Sequence, residues 1–76
     1  MENKEMYSVE FEYNGKKQTR LFFTPQDLSA VSREVQEEQS LIAAESLLKL
    51  EKCLLDGGRL SFINLYDANG CVITKR

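Results

Sequence analysis

From Tyr7 to Tyr13 the chain reads Tyr-Ser-Val-Glu-Phe-Glu-Tyr, apolar and polar in unbroken alternation, and Asn14-Gly15 follows at once. Side chains on a strand point to opposite faces in turn, so this pattern lays Tyr7, Val9, Phe11 and Tyr13 along one buried face. A helix would scatter the same residues around its circumference. Asn-Gly accepts the positive φ angles that a tight reversal needs, so the chain turns back into a second strand through Thr19, Leu21 and Phe23. The expected strands are residues 6–13 and 17–24.

The register of this hairpin is open to two readings. A two-residue Asn-Gly turn pairs Tyr13 with Lys16 and sets Lys16, Gln18 and Arg20 on the face of Val9 and Phe11. A three-residue loop instead puts Thr19, Leu21 and Phe23 on that apolar face and gathers Glu10, Glu12, Gln18 and Arg20 on the wet one. A one-residue slip exchanges the faces completely. Burial favours the longer loop, with Gly15 left-handed and a bulge beside it.

Thr24-Pro25-Gln26-Asp27 has the chemistry of a helix start: a hydroxyl cap, a proline where no N–H is needed, and an acid near the positive end of the dipole. Nothing interrupts a helical reading until Asp56-Gly57-Gly58, where a glycine can cap. Residues 25–56 are therefore expected to be helical. The apolar stripe changes phase along them. Leu28, Val31 and Val35 share one face, whereas Leu41, Ala44, Leu48 and Leu55 share another, about opposite at 100° per residue. The polar run Gln36-Glu37-Glu38-Gln39-Ser40 lies at the change. A break near residues 38–40, with Ser40 capping a second helix, accounts for this. The other reading is one long helix with one end on the sheet and the other offered to a partner.

Residues 59–66 read as strand again, although Phe62 and Ile63 blur the alternation as in a strand covered on both sides at one end. Asp67-Ala68-Asn69-Gly70 is a turn with Gly70 left-handed, and residues 71–75 complete a second hairpin. The expected fold is α+β, ββ-α(α)-ββ: one small domain with a four-stranded, largely antiparallel sheet and one long or two shorter helices on one face. Seventy-six residues suffice for one domain only. Such a chain buries roughly 60% of its unfolded surface.

Histidine is absent. That removes the commonest general base near neutrality and the commonest metal ligand, so no Ser-His-Asp or Cys-His nucleophile can be built from this chain alone. Cys53 and Cys71 are too few for a zinc site without histidine and read as small, half-buried hydrophobes. Gly57-Gly58 follows a helix instead of preceding one and lacks the Gly-Lys-Ser/Thr of a phosphate loop. Asp67 to Gly70 lacks the later acid of a calcium loop. Glu10 with Glu12, and Glu37 with Glu38, have no apolar pocket to split their pKa values. No enzyme, cofactor or metal is expected. Residues 1–6 are polar, and no segment reaches the roughly 18 apolar residues of a membrane span, so a cytoplasmic protein with reduced thiols is expected.

Binding remains. Leu41, Ala44, Leu48 and Leu55 form the stripe on which self-association, as a homodimer, or a protein partner would act. The alternative is nucleic acid, with Lys16, Lys17 and Arg20 along phosphates and Tyr13 or Phe22 stacking on a base. A net charge of −2 disfavours it.

Overall fold

The structure, a computed structural model, describes residues 4–52 and 58–75. Three strands, β1 (Glu5–Tyr13), β2 (Lys16–Thr24) and β3 (Leu60–Tyr66), form a sheet of order β2-β1-β3 with both pairings antiparallel. One helix, α1 (Arg33–Leu50), packs on one face of it, chiefly over β3 and more lightly over β1 and β2. The α+β class and the antiparallel sheet with its helix agree with expectation; the fourth strand does not form as a strand.

β1 occupies the centre because its alternation is complete. Tyr7, Val9, Phe11 and Tyr13 all lie buried beneath the helix, joined by Phe22, Leu28, Ala44, Leu48 and Leu65. Among the described residues no helix is long and apolar enough to cross a membrane.

The first hairpin corrects the register. Tyr13 pairs with Lys16 across a two-residue turn in which Asn14 and Gly15 adopt φ of 53° and 77°. Phe22, opposite Tyr7, therefore enters the core, their ring centroids 5.9 Å apart, while Leu21 and Phe23 face outward. Local turn chemistry outweighs burial here for two reasons. Phe22 alone fills the covered end of β2, and the helix covers β2 too lightly to expel Gln18 and Arg20 from the inner face. A bulge does occur, but in β3. Asn64 pairs with Glu10 and Phe62 with Phe11, leaving Ile63 as the extra residue. This shift lets Leu60, Phe62 and Leu65 all pack on the core, and it explains the blurred alternation of that segment.

The helix is also corrected. Thr24 to Asp27 does not begin it. Thr24 Oγ1 accepts from the Gln26 N–H at 3.2 Å, and Asp27 caps a 3₁₀ turn at Leu28–Ala30, its Oδ1 accepting from the Ser29 N–H at 3.1 Å. The Leu28 N–H is drawn instead onto the Tyr7 hydroxyl at 3.0 Å, which pins this turn to the sheet. Val31 and Ser32 are extended, and Ser32 Oγ caps α1 by accepting from the Val35 N–H at 3.4 Å. The change of phase thus belongs to this kinked entry. No break occurs at residues 38–40: Gln36, Ser40, Ala44 and Leu48 form one buried row along a continuous helix. The helix ends at Leu50, with Lys52 in the left-handed region at φ 59°. The rest of the expected helix, residues 53–56, and Gly57 lie outside the described residues, and Gly58 does not take the left-handed cap conformation.

The expected strand at 71–75 is a single bridge, Tyr66 to Val72, after the anticipated turn with Gly70 at φ 82°. The Ile73 N–H donates to the Leu65 carbonyl at 2.8 Å, but the Leu65 N–H donates to the Thr74 hydroxyl at 2.7 Å instead of to backbone. A side chain has replaced the ladder, and the segment leaves the sheet for the helix. There the fully buried Gln36 receives it. Its amide nitrogen donates to the Leu28 and Ile73 carbonyls at 2.8 and 2.9 Å, and its oxygen accepts from the Lys75 N–H at 2.9 Å. One side chain ties the 3₁₀ turn, the helix and the C-terminal segment together.

Candidate interaction surface

The helix stripe is turned inward. Ala44 and Leu48 are 0% exposed, Leu41 is half-buried against the same core, and Leu55 lies outside the described residues. The apolar residues that α1 leaves outside are Ile42 and Leu50. Ile42 falls off the main stripe and was not singled out in the sequence, whereas Leu50 reads there, with Leu47, as broadening the stripe.

The basic residues of the first hairpin are divided by its register. Lys16 and Lys17 are both exposed, but neighbours on a strand point to opposite faces. Arg20 sits on the helix side and is engaged. Its Nε and Nη2 reach the two oxygens of Glu51 at 2.9 and 3.0 Å, Nη2 also donates to Gln18 Oε1, and Nη1 to the Thr19 carbonyl. Tyr13 and Phe22 are 4% and 7% exposed, so neither ring is presented for stacking. Glu10 faces the other side of the sheet from Arg20, where it accepts from Tyr66 Oη at 3.0 Å and Asn64 Nδ2 at 3.3 Å. The expected cluster of Glu10, Glu12, Gln18 and Arg20 is therefore split between two faces.

What the structure brings together instead is the outer edge of β2. The helix-free face carries Lys17, Thr19, Leu21 and Phe23 from this strand, and Leu21 and Phe23 are 59% and 65% exposed. A two-residue turn makes Tyr13 and Lys16 a hydrogen-bonded pair, and antiparallel pairing alternates from there. Even-numbered residues of β2 therefore direct their backbone groups at β1, and Lys17, Thr19, Leu21 and Phe23 direct theirs away from the sheet. The opposite edge, along β3, is covered by the 71–74 segment. The signal in the sequence was Leu21-Phe22-Phe23 itself: three successive apolar residues on a one-sided strand cannot all be buried.

A second feature is a cleft of about 300 Å³ between the start of β1, the 3₁₀ turn and the 67–69 turn, lined by Glu5, Met6, Tyr7, Asp27, Asp67 and Ile73 among others. Two of its carboxylates, Asp27 and Asp67, are used within the fold. Asp27 takes the Ser29 hydroxyl at 2.6 Å, which with the Ser29 N–H holds its carboxyl below the ordinary range. Burial pushes the Tyr7 hydroxyl up, against the opposing pull of the Leu28 N–H that it accepts. Both groups move away from neutrality. Asp67 Oδ1 accepts from the Asn69 and Cys71 N–H groups at 2.9 Å and shapes its own turn. Among the described residues no group of three or more Cys, Asp or Glu is placed to hold a metal ion. Cys71 is exposed, not half-buried as expected; Cys53 lies outside the described residues.

Comparison of the chain with protein-family models, with curated proteins and with solved structures finds no match.

Proposed function

We propose that this chain is a small, non-enzymatic protein-binding module that acts through the β2 edge and the apolar side chains beside it. The observation that carries the reading is the exposure of Leu21 and Phe23 on a nine-residue edge strand whose outward backbone groups they share. An unpaired edge is a template for another strand, and natural proteins usually protect one with charges, bulges or cover. Here β3 receives cover, and β2 carries Lys16 and Lys17 at one end only. Main-chain hydrogen bonds would supply the affinity and Leu21 and Phe23 the selectivity, as in strand addition. The nucleic-acid alternative is weakened because Arg20 is committed to Glu51 and both candidate stacking rings are interior.

The test is retention of proteins on the immobilised full chain, with and without nuclease, beside a Leu21→Lys/Phe23→Lys variant. Retention that resists nuclease and disappears in the variant supports the reading. Retention abolished by nuclease, and by Lys16→Glu/Lys17→Glu, overturns it in favour of nucleic acid.

A further inference from the structure

Resting on that reading, we infer that the strand which occupies the β2 edge belongs to a second copy of this chain. Two β2 strands would pair antiparallel about a twofold axis at Leu21 and join two three-stranded sheets into one of six. An isologous contact of this kind requires a surface complementary to itself. The β2 edge meets that requirement in hydrogen bonding, in side-chain pattern and in charge.

In this register Leu21 lies opposite its own copy, with Thr19 opposite Phe23 on either side. All three residues have outward backbone groups, so each pair can exchange two N–H···O bonds. The Thr19 carbonyl already accepts from Arg20 Nη1 at 3.0 Å, and its second lone pair remains for the copy's Phe23 N–H. The next pair would be Lys17 with Pro25, where proline has no N–H, so the ladder stops there by itself.

Charge fixes the direction. One end of β2 carries the exposed Lys16 and Lys17, and beside its other end stand the exposed carboxylates of Glu5, which pairs with Thr24, and Asp27. Antiparallel pairing sets the basic end of each copy next to the acidic end of the other and keeps the two lysine pairs at opposite ends of the contact. Parallel pairing would bring lysines alongside lysines, which is destabilising. On the helix side the register places Arg20 opposite the copy's Phe22. Arg20 keeps Glu51 as its own counter-charge, so the two guanidinium groups do not meet.

Sedimentation of the full chain from low micromolar to near-millimolar concentration tests this. The expected result is a reversible rise from one chain mass to two. Amide exchange at Leu21 and Phe23 should slow with concentration, while exchange in α1 stays the same. Leu21→Lys, which sets two cations face to face, and Thr19→Pro, which deletes one outward donor, should each return the mass to that of a single chain at the same concentration. Circular dichroism reports folding of both, and Thr19→Pro serves if the lysine variant does not fold. Ile42→Lys on the exposed side of α1 should leave the dimer intact. A wild-type chain that stays monomeric throughout, or a dimer that persists in both edge variants, overturns the inference. A monomer that still retains a different protein through Leu21 and Phe23 overturns only the inference and leaves the proposed function standing; a monomer that retains none overturns both.

Discussion

Ser40 is fully buried in the middle of α1, and its hydroxyl has no hydrogen-bond partner among the described residues. A buried hydroxyl without a partner costs about 1–3 kcal/mol in lost hydration, and serine is also a poorer helix former than alanine. Ser40→Ala should therefore raise the stability of the chain by about 1 kcal/mol, seen as a melting temperature higher by roughly 4–8 °C for a domain of this size. An unchanged or lower melting temperature would mean that the hydroxyl has a partner after all. The contrast with Gln36, one turn earlier in the same buried row, is instructive. Gln36 satisfies both ends of its amide against three backbone groups, whereas Ser40 satisfies nothing. Both stood in the sequence as part of a polar run that pointed to a break. Polar residues can sit inside a helix face when a neighbouring segment supplies partners, and no local pattern records that neighbour.

Each element shows where local chemistry decided the geometry and where it did not. Asn14-Gly15 formed the tight turn that its two positive φ angles allow, even at the expense of exposing Leu21 and Phe23. Asp27 and Ser32 are good caps used for a 3₁₀ turn and for α1, yet Thr24-Pro25 looked equally capable of starting a helix. The Tyr7 hydroxyl decided between them by taking the Leu28 N–H. At the other end α1 closes with Lys52 at φ 59°, where its N–H donates to the Lys49 carbonyl at 3.1 Å. A side chain in the left-handed region costs about 1 kcal/mol, which glycine avoids. Lys52→Gly is expected to stabilise the chain by about that amount in urea unfolding, with the slope against denaturant unchanged. A destabilised variant would show that Lys52 is not held in the left-handed region.

At the scale of the whole fold, the described residues make a two-layer arrangement of the sheet and α1 in which one face is covered and one edge is sealed by a short return segment. Gln36 is the point where that segment is fastened. Gln36→Leu keeps the volume but leaves the Leu28 and Ile73 carbonyls and the Lys75 N–H without their partner. With about 1 kcal/mol or more for each orphaned group, a loss of roughly 3 kcal/mol is expected. The Lys75 amide should lose its protection from hydrogen exchange before the strands do. Uniform loss of protection across β1 and the 71–75 segment would place the segment within the cooperative core instead. Among the described residues the other edge, along β2, has no such fastening. That asymmetry is why we propose the binding surface there and not on the helix stripe, whose Ala44 and Leu48 are consumed in holding the molecule together.

The amino-acid sequence by itself determined the elements whose signals are local. The alternation of Tyr7 to Tyr13 made β1 a one-sided strand, Asn14-Gly15 and Gly70 placed both turns, and the absence of histidine narrowed the available chemistry. Only the tertiary structure decided what depends on residues far apart in the chain. Whether Phe22 or its two neighbours enter the core followed from how lightly the helix covers β2. Whether Gln36 breaks a helix or anchors one followed from the arrival of Ile73 and Lys75 beside it. Whether residues 71–75 extend the sheet followed from the Thr74 hydroxyl reaching the Leu65 N–H. In each case a long-range hydrogen bond or the reach of a covering element selected between local conformations of similar free energy, and that selection is invisible to any pattern of neighbouring residues.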